Sequence, residues 1–166
     1  MENKIEFRHI SKYFPGVKAL DDISFIANGG EVLALVGENG AGKSTLLKIL
    51  NGDYQQTSGE YLVNGKQVHF NNPREAIADG IAVIYQERQI MLQLTVAENI
   101  FLGRLPVGAF GHVKFAEINK KTQEIIDEFG LDMKATDKVK DLSTAYQQMV
   151  EIMKAYSREN LKIIAF

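Results

Sequence analysis

The residues that most restrict the fold are Gly37-Glu38-Asn39-Gly40-Ala41-Gly42-Lys43-Ser44, which fit the pattern G-x-x-x-x-G-K-[ST]. A loop of this kind points consecutive backbone N–H groups inward, where they bind phosphate oxygens. Its glycines permit the turns and the close backbone approach that this requires. Such a loop leads from a buried strand into a helix, whose N-terminus adds positive potential. Both flanks are legible. Residues 31–36 (EVLALV) form a short apolar run that reads as a buried strand, and residues 43–51 read as a helix with Leu46, Leu47 and Leu50 inward. Gly52 is its stop. In this frame Lys43 reaches the β- and γ-phosphates of a nucleotide, and Ser44 is a ligand for Mg²⁺.

The surrounding pattern predicts an α/β fold. Residues 5–10 and 20–26 read as strands, and residues 60–63 and 67–70 flank Asn64-Gly65, a hairpin signal. A short helix is expected over 73–79, with Pro73 early and Gly80 just past its end. Residues 81–85 form another apolar strand. Thr95 and Glu98 have capping-box spacing. Ile118, Thr122, Ile125, Ile126 and Phe129 share one helical face closed by Gly130, and residues 143–157 form a further helix. Residues 161–166 begin a buried strand. Strands alternating with helices around the phosphate loop argue for a parallel α/β core. The division expected is a nucleotide-binding core over 1–86, a helical subdomain over 87–157, and the start of a strand over 158–166.

Bulk properties exclude several classes. Hydrophobic residues make up 45% of the 166-residue chain and charged residues 24%, so it is expected to be globular. The formal net charge of −2 gives no reason to expect nucleic-acid binding. The chain has no cysteine, which removes disulfides and thiolate-held zinc. No apolar run approaches the roughly 18–20 residues that span a bilayer, so a membrane role has to pass through a partner. His9, His69 and His112 lack ligand spacing around them and read as surface or core histidines. Phe101 and Phe110 are expected to pack in the helical subdomain.

A phosphate loop alone does not name a function. The N-K-x-D of a GTPase is not met, because Asn119-Lys120-Lys121 is followed by Thr122, and Asp127-Glu128-Phe129-Gly130 reads as a helix end. Gly37–Leu46 (GENGAGKSTL), Gln86-Glu87 after an apolar strand, and residues 142–152 (LSTAYQQMVEI) instead resemble, in this order, the ATP-binding-cassette (ABC) ATPases. The resemblance covers essentially the whole chain. Residues 14–25 (FPGVKALDDISF), 94–104 (LTVAENIFLGR) and 148–152 look like the sugar-importer branch, and specifically like the N-terminal part of a first cassette.

The resemblance implies a P-loop NTPase core with a parallel sheet, an antiparallel β portion and an inserted helical subdomain. It implies ATP and Mg²⁺ as ligands. Gly37, Asn39, Gly40, Ala41, Gly42, Lys43, Ser44 and Thr45 then hold the phosphates, and Phe14 stacks on adenine, with Tyr13 as the alternative. Lys43 and Gln86 act in catalysis, Gln86 also serving Mg²⁺ beside Ser44. Leu142, Ser143, Thr144, Ala145 and Tyr146 take the place of the family signature LSGGQ, whose helix end faces the nucleotide of a second cassette. Thr144 and Ala145 replace its two glycines and Tyr146 its glutamine. The implied partners are transmembrane permease subunits, a second ATPase cassette and, indirectly, a sugar-binding protein, and no nucleic acid is expected. The implied location is the cytoplasmic face of the cell membrane.

In this family the strand at 161–166 continues into acidic residues that serve Mg²⁺ and the attacking water. The 166 residues therefore read as a fragment that stops short of those groups and hydrolyses ATP weakly or not at all by itself. A soluble ABC ATPase and a non-hydrolytic nucleotide-binding module are the alternative readings.

Overall fold

The computed structural model describes residues 3–85 and 89–166. By their internal contacts they fall into two compact units, Met1–Val83 with Asn160–Ala165, and Ile84–Glu159 with Phe166.

The first unit carries a four-stranded antiparallel sheet built from β1 (Lys4–Phe14), β2 (Val17–Asn28), β3 (Ser58–Val63) and β4 (Lys66–Gln67), in the order β2-β1-β3-β4. β1 and β2 are longer than their apolar runs predict, because the Pro15-Gly16 turn keeps them paired down to Phe14 and Val17. The hairpin at Asn64-Gly65 has both residues at positive φ, 51° and 76°, which matches the twist of the flanking strands. β4 is shorter than the expected 67–70. Between Phe7 and Lys12 the β1–β2 register slips twice, and His9 at the first slip and Asp22 at the second sit at φ 53° and 54°. The slips turn Ile10 and Ser11 into the core after Ile5 and Phe7.

Helix α1 (Lys43–Leu50) buries Leu46, Ile49 and Leu50 against this sheet's core, while Leu47 is half-buried. Gly52, at φ 76°, ends it by donating its N–H to the Ile49 carbonyl. Tyr61 lies flat on Phe7, with ring centroids 4.6 Å apart, and donates its hydroxyl to the Leu50 carbonyl. Burial, with the Asp79 charge adding to it, pushes its phenol far above the ordinary value. Helix α2 (Pro73–Ala78) is capped by the Asn72 side chain, with Pro73 in the first turn. After it, β5 (Ile81–Val83) pairs in parallel with β6 (Ile163–Ala165).

The expectation of a strand before the glycine-rich loop fails. Residues 31–36 are not a buried strand: they pair with no strand among the described residues, and Val32 and Val36 are 101% and 93% exposed. A parallel strand gains from an apolar run only when neighbours satisfy its amides and cover both faces. The β5–β6 pairing does not extend to this segment. Leu33 and Leu35 instead line an apolar recess of about 250 Å³ together with Phe25, Leu46 and Ile163.

The second unit is helical. It contains α3 (Val96–Ile100), α4 (Phe115–Glu128) and α5 (Thr144–Tyr156), with 3₁₀ turns at Ala109–Gly111 and Val139–Asp141. Thr95 and Glu98 form the expected capping box at α3. Ile118, Thr122 and Ile126 are buried on α4, and Gly130 leaves it at φ 63°. Residues 119–122 lie within α4 and 127–130 at its end, as the GTPase comparison anticipates. The core joins Val96, Ile100, Phe101, Ile126, Val150 and Met153, among others. Among the described residues no helix is long and apolar enough to cross a membrane.

Candidate functional site

The glycine-rich loop leads directly into α1, with Gly42 as the residue before the first helical turn. Gly40 and Gly42 both sit at φ 87°, a region open to glycine at little cost. A β-carbon on Gly42 would lie 2.5 Å from the Ala19 carbonyl oxygen and 2.6 Å from Leu20 Cδ2, so this glycine lets the loop lie against β2. A β-carbon on Gly40 would meet nothing within 4 Å, so that side of the loop is open to a ligand.

Lys43 folds back over the loop. Its Nζ donates to the Gly37 carbonyl at 2.6 Å and to the Glu38 carbonyl at 2.8 Å. The ammonium is thereby held against the loop's own backbone. The Ala41 N–H is taken by the Glu38 carbonyl at 3.1 Å. Ser44 and Thr45 occupy the first turn of α1, where helix amides have no preceding helical carbonyl. Asn39 and Ser44 are exposed and Thr45 is half-buried. The donor set is thus a positive-φ turn, first-turn amides, one ammonium and one hydroxyl, which fits a polyphosphate.

Phe14, at the end of β1, is half-buried and meets Tyr54 edge-on, with centroids 5.4 Å apart. Lys12 Nζ lies 5.0 Å from the Phe14 ring centre, and Lys48 Nζ of α1 lies 5.0 Å from that of Tyr54. Tyr13 is 43% exposed, with Lys18 Nζ 5.5 Å from its ring centre. Gln86 lies outside the described residues.

In the second unit, Ser143 is the N-cap of α5, its hydroxyl accepting the Tyr146 N–H. Ser143, Thr144 and Ala145 are exposed and Leu142 is half-buried. Tyr146 does not point outward with them. It is half-buried and packs against the helical core. Buried Gln147 holds the start of the helix from beneath, its amide donating to the Val139 and Leu142 carbonyls. At the other end Arg104 donates to the carbonyls of Ile100, Lys154 and Ser157. Burial, with Arg158 nearby, lowers the Arg104 pKa from its ordinary value.

The structure therefore brings Gly37 to Thr45 into one loop-and-helix site, places Phe14 on a neighbouring aromatic pair, and puts Leu142 to Tyr146 on a separate helical unit. His9 is exposed and its Nδ1 meets Asp22 Oδ1 at 2.6 Å, a cross-strand pair that the sequence spacing hides. His69 and His112 are exposed. Among the described residues no cluster of His, Cys, Asp and Glu could hold a metal. Sequence reasoning missed Asn99, Gln147 and Glu151, three buried polar residues that fix loop segments. Their one sequence signal is a polar side chain on the apolar face of an amphipathic helix.

Comparison with known proteins agrees with this fold. The family described as ABC transporter matches residues 20–165. The arabinose import ATP-binding protein AraG of Mannheimia succiniciproducens is 51% identical over 162 residues, covering 98% of this chain and 32% of that protein. AraG 1 of Burkholderia cenocepacia is 53% identical over 165 residues, covering 99% and 32%. The chain spans about a third of the length of these relatives. Among solved structures, an ATP-binding cassette of an ABC transporter in its ADP conformation superposes with a TM-score of 0.80 at 28% identity, over 99% of this chain and 67% of that one. A nucleotide-free cassette gives 0.78 at 28% identity, over 99% and 68%.

Proposed function

The chain belongs to the ABC transporter family, and from that premise we propose that it is the ATP-binding part of an importer ATPase that couples ATP binding and hydrolysis to uptake of a simple sugar. The observation that carries the nucleotide reading is the loop at Gly37 to Lys43: two glycines at φ 87° and an ammonium folded onto the loop's own carbonyls. The names of the arabinose-import relatives support a monosaccharide as cargo.

In this reading the loop amides and the first turn of α1 bind phosphate oxygens, and Lys43 exchanges its two carbonyl partners for the β- and γ-phosphates. Ser44 and Gln86 are the residues that would hold Mg²⁺, which supplies charge neutralisation across those oxygens. Phe14 offers its ring to adenine, Tyr13 being the competitor. Ser143 and the amides after it present the exposed start of α5 to the nucleotide of a second cassette. The parts divide as a core over 1–86, a helical subdomain over 87–157 and a strand over 158–166. The ATPase sits at the cytoplasmic face of the cell membrane, held there by permease subunits that its motion drives.

We predict that Lys43→Ala weakens MgATP binding at least tenfold, about 1.4 kcal/mol or more, with titration calorimetry as the readout. Unchanged affinity overturns the phosphate assignment. Labelled-sugar uptake by cells that carry or lack this ATPase tests the cargo. Equal uptake of every simple sugar in both overturns the importer role.

A further inference from the structure

Phe14 stands at the end of β1, the phosphate loop opens α1, and one short segment joins that helix to that strand. Residues 53–57 leave α1 with their backbone fastened to it: the N–H groups of Asp53 and Tyr54 both donate to the Lys48 carbonyl, at 2.8 and 3.1 Å. Further on, Thr57 fastens the same segment to β1. Its N–H donates to the Ser11 carbonyl at 2.8 Å, and its hydroxyl accepts the Tyr13 N–H at 3.0 Å. The segment is therefore held by the helix at one end and by the strand that carries Phe14 at the other.

The Tyr54 side chain is held in its turn. Lys48 Nζ lies 5.0 Å from its ring centre and donates to its hydroxyl at 3.5 Å. Lys12 of β1 serves both rings, its Nζ 5.0 Å from the centre of Phe14 and 5.8 Å from that of Tyr54. The two rings meet at 70° between planes. An edge-on pair has a preferred geometry, because the positive rim of one ring meets the negative face of the other. Ammonium groups beside the rings add to that attraction. All four side chains are half-buried. Left to itself, a ring at a strand end samples several staggered rotamers, and here its neighbours restrict it.

We propose that Tyr54 is a positioning residue for the base end of the nucleotide site, holding the Phe14 ring in place relative to α1 with Lys48 and Lys12 as its supports. This rests on the reading of Phe14 as the ring that meets adenine. Its consequence is that one helix sets both ends of the ligand. The first turn of α1 meets the phosphates, and Lys48, a turn further along, fixes Tyr54 and through it the ring that meets the base. A ring already in place when the phosphates bind spares the cost of ordering it, so the nucleoside adds its full share of affinity.

The test uses the full-length ATPase and two ligands, MgATP and magnesium tripolyphosphate, which share the phosphates and differ by the nucleoside. Affinity is read locally, from amide-exchange protection over residues 37–45 as each ligand is added, so that nucleotide bound elsewhere in the protein does not contribute. Phe14→Ala is expected to weaken MgATP at least about fivefold, the low end of what a base gains by stacking on an aromatic ring, and to leave tripolyphosphate within about twofold. Tyr54→Leu, which fills space but offers no ring edge, is expected to weaken MgATP about threefold or more and tripolyphosphate by less than about twofold. Tyr54→Phe keeps the edge and recovers most of the affinity. A residue that only filled space would be replaced by leucine without loss. The double variant Phe14→Ala with Tyr54→Leu is expected to be no weaker than Phe14→Ala alone, because Tyr54 acts through Phe14. Additive losses overturn the proposal, since Tyr54 would then meet the base directly. If tripolyphosphate no longer protects 37–45 in Tyr54→Leu, the fold is lost and Lys12→Met decides, since it removes the ammonium and leaves both rings. A loss of about twofold or more for MgATP alone then supports the positioning role, and an unchanged preference for MgATP over tripolyphosphate overturns it. An unchanged preference in Phe14→Ala sinks the base reading itself. A preference lost in Phe14→Ala but kept in Tyr54→Leu overturns the positioning role alone.

Discussion

At the scale of single residues, Gly40 and Gly42 share a φ of 87° but differ in surroundings, and the difference makes a clean comparison. A methyl group on Gly40 pays only the left-handed backbone cost, about 1–2 kcal/mol. On Gly42 it adds contacts of 2.5 and 2.6 Å to β2. We expect Gly42→Ala to destabilise the protein by about 2 kcal/mol more than Gly40→Ala, read from urea unfolding midpoints. Equal losses argue against the close packing of loop on strand. The loop itself was legible because a few residue types at fixed spacing suffice to build it. The packing of Tyr146 was not legible, because it depends on where the helical core closes. Asn99 and Glu151 look like exposed polar residues until the loop backbone they serve is in view.

At the scale of elements, local rules served best where an element closes on itself. The capping box at α3 is the clearest case: Thr95 and Glu98 satisfy each other's amides. The Thr95 N–H, assisted by Lys138, holds the Glu98 carboxyl below the usual carboxylate range. A carboxyl depressed in the folded state stabilises it above its ordinary pKa of about 4.3, and that contribution is lost as pH falls through the lower folded value. Glu98→Gln should therefore flatten part of the drop in melting temperature between neutral pH and pH of about 3; an unchanged drop contradicts the assignment. Thr95→Ala should cost about 1 kcal/mol at neutral pH, again by thermal melting. The run at 31–36 is the opposite case. Its apolar character is the right one for a strand, but pairing is not a property of the run itself, and without partners it lies exposed.

At the scale of the whole molecule, the 166-residue chain by itself shows Val32, Leu33, Leu35 and Val36 to solvent beside an apolar recess. Val32 and Val36 each forgo about 1.5–3 kcal/mol that burial would supply, so the isolated chain should self-associate. Replacing Val32 and Val36, the two that stand fully clear, with lysine should shift sedimentation toward monomer and leave the unfolding midpoint within about 0.5 kcal/mol. A wild-type chain that sediments as a monomer at high concentration refutes the expectation. Fold class was readable because strand and helix periods alternate around the loop. The extent of each unit was less so, because it depends on contacts between residues far apart in sequence.

The hydrogen bond from Lys154 Nζ on α5 to the Gln89 carbonyl bears on how the chain reaches this structure. β5 and β6 pair although Ile81 and Ile163 are 82 positions apart, and joining them through a disordered stretch costs about 4 kcal/mol of closure entropy. Once Gln89 is bound to Lys154, only the short arms on either side of that contact still have to be closed. On the same logarithmic scale the remaining cost is lower by about 1.5 kcal/mol, worth roughly tenfold in rate if the tie precedes strand pairing. If the helical insert closes its own neck first, the β5–β6 pairing becomes a local one.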